Sequence, residues 1–147
     1  MTRILSRSEV SKARELNVCK AKAKDAVNKR MDQIRSRFIT PIAGQSMIYM
    51  AKETEALAYV AATPEPSTVT GWETQYPFIA GEVGSTGSSA YEVAQVFLNL
   101  AAQWRGIGAQ LEKVRIETIQ AISLAQSATD TDDALGQFEA EIAAFES

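Results

Sequence analysis

Apolar residues recur at helical spacing along most of the chain. The strongest run is Val93, Phe97, Leu100, Trp104, Ile107, Leu111, Val114, Thr118, Ala121 and Ala125, at alternating intervals of four and three. That alternation keeps ten side chains on one stripe, and only Thr118 is polar. The pattern predicts a long helix from a cap at Ser88 or Ser89 to about Gln126. A second row, Ile116, Ile119 and Ile122, widens its buried side. Gly106 and Gly108 each cost about 1 kcal/mol against alanine there.

Upstream, Ser6 and Glu9 have the spacing of a capping box. No Gly or Pro follows until Pro41, so one helix of about 30 residues, roughly 45 Å, is expected to reach Phe38. Its second half carries the stripe Val27, Met31, Ile34 and Phe38. Its first half is rich in Ala and Lys, with only Val10, Ala13, Leu16 and Ala23 on an apolar side. Such a segment is a poor core helix in isolation. Thr40 and Pro41 end the helix, because the residue before proline is pushed from helical angles. Pro41 and Gly44 shape the turn, and Gln45 caps the next helix or bonds the turn backbone.

Gln45 to Ala62 reads as the second helix, with Met47, Met50, Ala51, Thr54, Leu57, Ala58 and Ala61 as its buried side. Thr63 to Tyr76 reads as a loop. Pro77 opens a short helix over 78–83, and Trp72, Tyr76 and Phe78 are expected to cover the end of the bundle. Ser127 to Asp133 suits a cap and first turn. A last helix from about Asp132 to Phe145 presents Leu135, Phe138, Ile142 and Phe145. The expectation is an all-α fold: a helical bundle of three main helices plus a short insertion helix and a C-terminal helix, with a long basic N-terminal helical arm. Its divisions are the arm 1–26, the bundle 27–127 and the acidic C-terminal helix 128–147.

Charge changes this picture. The net of −3 over 147 residues hides +7 in the first 40 and −10 in the rest, and the last 20 residues hold six acids and no base. A basic start and an acidic end attract each other, within a chain or between chains. The basic residues Lys12, Arg14, Lys20, Lys22 and Lys24 are the expected partner-binding surface of the arm. They spread around the helix, and no aromatic precedes Phe38 to stack on bases, which argues against nucleic acid as the partner.

Candidate chemistry is sparse. The chain has no histidine and a single cysteine, Cys19. Serine–histidine and cysteine–histidine catalysis are excluded, as are Glu-x-x-His di-iron sites and cysteine-rich zinc sites. Glu53 and Glu55 diverge on a helix, as do Glu112 and Glu117, so neither pair makes an acid–base dyad. Asp130, Asp132 and Asp133 lack the glycine and terminal glutamate of a calcium loop. Gly81, Gly84 and Gly87 read as turn glycines, with no phosphate-loop lysine after them. Trp104 reads as a core anchor. No enzyme activity, cofactor or metal is expected, and no membrane insertion, since no run of about 20 apolar residues occurs.

One resemblance adds a function. Arg37, Phe38, Ile39, Thr40 and Pro41, then Gly44, Gln45, Tyr49, Lys52, Glu55 and Ala56 resemble a block in small bacteriophage tail-fibre-associated or tail-fibre-assembly-like helical proteins. The likeness continues through Tyr76, Pro77, Glu82, Val83, Gly84, Ala94 and Trp104 to Glu112 and Arg115. The acidic C-terminal helix departs from it. The resemblance implies a structural part of a phage tail, fibre or baseplate, made in the bacterial cytoplasm and located in the virion. The partner would be a fibre or baseplate protein, with homo-oligomers, and a trimer by analogy. An assembly chaperone that leaves the fibre is the alternative, and a nucleic-acid-binding or regulatory helical protein the second. Within it, Lys52 with Glu53 or Glu55 is expected to bridge to Glu112 and Arg115.

Overall fold

A computed structural model describes residues 4, 6–40 and 42–146. Among them the chain is all-α. The helices are α1 (Arg7–Arg35), α2 (Gln45–Ala61), α3 (Trp72–Gln75), α4 (Pro77–Glu82), α5 (Ala90–Leu124) and α6 (Ala128–Ala143), with a 3-10 turn at Pro66–Thr68. The 3-10 turn and α3 occupy the segment expected to be a loop.

Helix ends follow local chemistry. Ser6 caps α1, its hydroxyl accepting from the Glu9 N–H while Glu9 accepts from the Ser6 N–H. Ser89 accepts from the Glu92 N–H at the start of α5, and Glu92 accepts from Ser88. Those bonds lower the Glu92 carboxyl pKa, chiefly through the Ser88 hydroxyl. Ser127 caps α6, which therefore begins four residues before the expected start. Asp130 accepts from the Gln126 N–H, so it serves the cap. Gly44 precedes α2 at φ 81°, a left-handed conformation that glycine adopts without strain; no side chain caps α2, and Gln45 bonds the turn backbone through its own N–H, to Ile42. The role expected of Pro41 lies outside the described residues.

The chain divides into two compact units, Met1–Phe38 with Gly108–Ser147, and Ile39–Ile107. This differs from the division expected from charge. The basic segment and the acidic helix share one unit, because α1 packs against α6. A change of charge sign marks a change in electrostatics, not a break in a core.

The first unit is a three-helix arrangement. Ala23, Val27, Met31 and Ile34 are buried on α1, Leu111, Val114, Thr118 and Ile122 on α5 with Ala125 just after its end, and Thr131, Phe138 and Ile142 on α6. The spacings of four and three put each set on one face. The buried Thr118 and Thr131 hydroxyls donate to the Val114 and Ser127 carbonyls, four residues back. Phe38, expected in the α1 stripe, is exposed. It lies in the turn after Arg35, where helical spacing no longer sets side-chain direction.

The second unit is built on Ala56, Tyr59, Ile79, Ala90, Val93, Ala94 and Phe97, with Trp72, Tyr76, Phe78 and Leu98 packed around them. Trp104 and Ile107 are half-buried. Leu100, expected in the α5 stripe, is 56% exposed. At 3.6 residues per turn it lies about 70° from the centre of the arc formed by Ala90, Val93, Ala94 and Phe97. A strict 3.5-residue stripe drifts by roughly 20° per heptad on a straight helix, so it does not face one core throughout. The larger correction is α2. The face expected to be buried is turned outward, and Met47, Met50, Thr54, Leu57, Ala58 and Ala61 are exposed. Burial falls instead on Ala56 and Tyr59.

Candidate functional site

The side chains that carry chemistry in the second unit converge on α2 and α4. Helix α4 starts at Pro77, whose missing N–H leaves one orphan donor fewer, but the next amides of its first turn still need an acceptor. Glu55 supplies it from α2: one carboxylate oxygen accepts from the Phe78 N–H at 3.2 Å and the other from the Ile79 N–H at 2.7 Å. One turn earlier on α2, Lys52 reaches Glu82 at the far end of α4, Nζ to carboxylate 2.5 Å. Its ammonium also stands 4.9 Å from the centre of the Phe97 ring, a cation–π contact. Glu82 accepts in addition from the Thr86 hydroxyl at 2.8 Å. Two residues of α2 thus clamp both ends of α4.

Two further bonds tie α2 to its surroundings. Glu53 pairs with Arg105 of α5. The Tyr49 and Thr40 hydroxyls hydrogen-bond at 3.2 Å, and the Thr40 hydroxyl, donating to the phenolate when it forms, is the main cause of a lowered Tyr49 pKa. Tyr59 is buried between Trp72 and Tyr76, edge-on to both, and its hydroxyl has no hydrogen-bond partner among the described residues.

In the first unit the charges form two groups. Glu112 accepts from Arg115 at 2.6 and 2.9 Å and from Arg35 of α1 at 2.7 Å. The Arg115 bonds above all, with Arg35 added, hold the Glu112 carboxyl down to about 2, and they raise Arg115. Near the same C-terminal end of α1, Arg30 engages Glu139 and Glu146, and Arg37 donates to the Glu146 carbonyl at 3.1 Å. The attraction expected between basic start and acidic end is therefore made within this chain, in part.

Lys52, Glu53 and Glu55 were expected to bridge to Glu112 and Arg115. Each instead finds its partner inside its own unit. Each of these side chains takes the nearest opposite charge or free amide, and helical spacing does not reveal which element that is. The sequence does mark a helix start at Pro77, where first-turn amides lack intrahelical acceptors, but it does not mark Glu55 as the acceptor.

The expected partner-binding bases stand apart from one another. Lys12, Arg14 and Lys22 are exposed, Lys24 is half-buried, and Lys20 donates to the Ser123 carbonyl of α5 at 3.0 Å. Near them a shallow groove of about 410 Å³ is lined by Lys12, Leu16, Cys19 and the Gln126–Ala128 turn. Glu117 pairs with Lys113, away from Glu112. Among the described residues no group of three or more carboxylate, thiol or imidazole side chains is placed to hold a metal ion. No helix of the described residues is long and apolar enough to cross a membrane. What these arrangements do chemically is fix helices: they satisfy amides, pair charges and set register. Compared with models of protein families, with curated proteins and with solved structures, the chain matches none.

Proposed function

We propose that this protein is a structural component of a bacteriophage tail, docking a rigid helical module onto a fibre or baseplate protein. The resemblance over Arg37 to Arg115 carries the phage assignment. The observation that supports a docking role is where the resembling residues lie. Lys52, Glu55, Pro77 and Glu82 form the clamp on α4, Ala56 and Ala94 lie in the core beneath it, and Glu112 and Arg115 form the ion cluster with Arg35. All of them hold a scaffold in shape. In this reading the protein is non-enzymatic, works as a homo-oligomer, with a trimer by analogy to fibres, and resides in the virion.

Quantitative mass spectrometry of purified phage particles tests the reading. Copies in fixed ratio to a tail protein are the expected result. Absence from particles, with the protein bound to newly made fibre, would replace it by the assembly-chaperone reading. A nucleic-acid role would appear as DNA or RNA affinity falling steeply with salt; flat titrations at low salt are expected.

A further inference from the structure

Helix α5 runs without a break from Ala90 to Leu124, yet it serves two cores. Ala90, Val93, Ala94 and Phe97 are buried in one, and Leu111, Val114, Thr118 and Ile122 in the other. No residue at positions 99–110 is buried, which leaves about 18 Å of helix without a core of its own. The division between the compact units falls inside this stretch, between Ile107 and Gly108. Just before it Arg105 is paired with Glu53. After it come buried Leu111 and then Glu112, in its cluster with Arg35 and Arg115. Positions 106–110 make no side-chain hydrogen bond or ion pair among the described residues.

Gly106 has no steric reason to be glycine. Its backbone is helical, and a Cβ added to it would meet no atom within 4 Å. Neither a left-handed turn nor close packing calls for glycine there, and alanine would make a stiffer helix. What glycine supplies is backbone freedom, and Gly108 supplies it again two residues on. A helical span with few packed side chains is also where local opening costs least. The chain passes between the units at one other point, between Phe38 and Ile39, in the turn that follows α1. Among the described helices α5 alone belongs to both units.

We propose that α5 carries a hinge at Gly106 and Gly108, where the helix opens and bends while the cores at its two ends stay intact, so that the two units reorient. The inference goes beyond the function proposed above and does not rest on it. Docking asks for rigidity within a unit, and the clamp on α4 and the Glu112 cluster each lie within one.

In the full chain, the amides at 106–110 should exchange hydrogen about tenfold or more faster than those at 93–97 and 114–122. Gly106→Ala should slow them about fivefold, which is the preference of a helix for alanine over glycine. In a Cys19→Ser background, nitroxides on Asn99→Cys and Gln120→Cys, both exposed, stand about 31 Å apart along a straight helix. Pulsed electron–electron resonance should give a broad distribution that reaches shorter distances, and Gly106→Ala should narrow it toward the straight-helix value. Gly136→Ala, at an equally open position of α6, raises helix propensity away from the hinge and should leave the distribution as in the parent. Even protection along the whole of α5 overturns the proposal. So does a distribution that Gly106→Ala leaves unchanged, or that Gly136→Ala narrows as much.

Discussion

Glu112 shows how a surface carboxylate becomes structural. With Arg115 at 2.6 Å and Arg35 at 2.7 Å, it joins α5 to the last turn of α1. Its carboxyl is held at about 2 against an ordinary 4.5. The folded chain thus gives up that proton more readily than the unfolded one. The stabilisation is complete above about pH 4.5 and fades as acid approaches pH 2. Solvent reaches 40% of the side chain, so screening limits its worth to about 1 kcal/mol. Glu112→Gln should melt below the parent at pH 7, and the gap should narrow steadily between pH 5 and pH 3. A gap that does not change over that range would assign the loss to packing. Tyr59 offers the opposite case, a buried hydroxyl without a partner among the described residues. Its ring fills the space between Trp72 and Tyr76, so the ring is what the core requires. Tyr59→Phe should keep or raise the melting temperature, by up to about 1 kcal/mol of stability, since it removes a desolvated donor and leaves the shape.

At the scale of elements, α4 is too short to hold itself. Six residues complete little of an intrahelical ladder, and nucleation is costly. Its start depends on Glu55 and its end on the Lys52–Glu82 pair. Glu55→Ala leaves two amides of α4 without their acceptor and should cost about 1–3 kcal/mol. Glu55→Gln keeps one acceptor oxygen and should recover part of that, as urea unfolding will report. The boundaries of α1, α2, α4 and α5 were legible in the sequence to within a few residues, because Ser6, Ser89, Pro77 and Gly44 are local signals. The inward stripes of α1 and α6 were legible too, through the spacing of Val27, Met31 and Ile34, and of Phe138 and Ile142. The inward face of α2 was not. Its outer side carries the better apolar pattern, while its inner side mixes Lys52 and Glu55 with Ala56 and Tyr59. Periodicity finds an apolar stripe and is silent about what covers it. Polar residues that face inward, each with its own partner, defeat the rule that charge means solvent. The clamp on α4 was hidden for the same reason: Glu55 and Ile79 are 24 positions apart.

For the whole molecule, the polarity of the chain gains a structural meaning. The +7 start and the acidic end belong to one unit, where Arg30 and Arg37 of the α1 region meet Glu139 and Glu146 of the α6 region. The pairs with an exposed member, Arg30 with Glu139 and Arg37 with Glu146, contribute little each. The buried side chains Phe138 and Ile142 of α6 carry the contact, and the charges select which helix docks where. Removing 128–147 strips away those side chains and uncovers Val27, Met31 and Ile34 in one step. Truncations of Phe to Ala in cores cost about 3–5 kcal/mol, and this deletion removes more. The truncated chain should therefore lose hydrogen-exchange protection at the amides of α1 between Ala23 and Ile34. The amides of α2 around Ala56 and Tyr59 take their packing from α4 and the first half of α5. They should keep their protection after the same deletion. Equal loss in both places would mean that the two compact units unfold as one cooperative body, and unchanged α1 amides would mean that α6 is not what holds that helix.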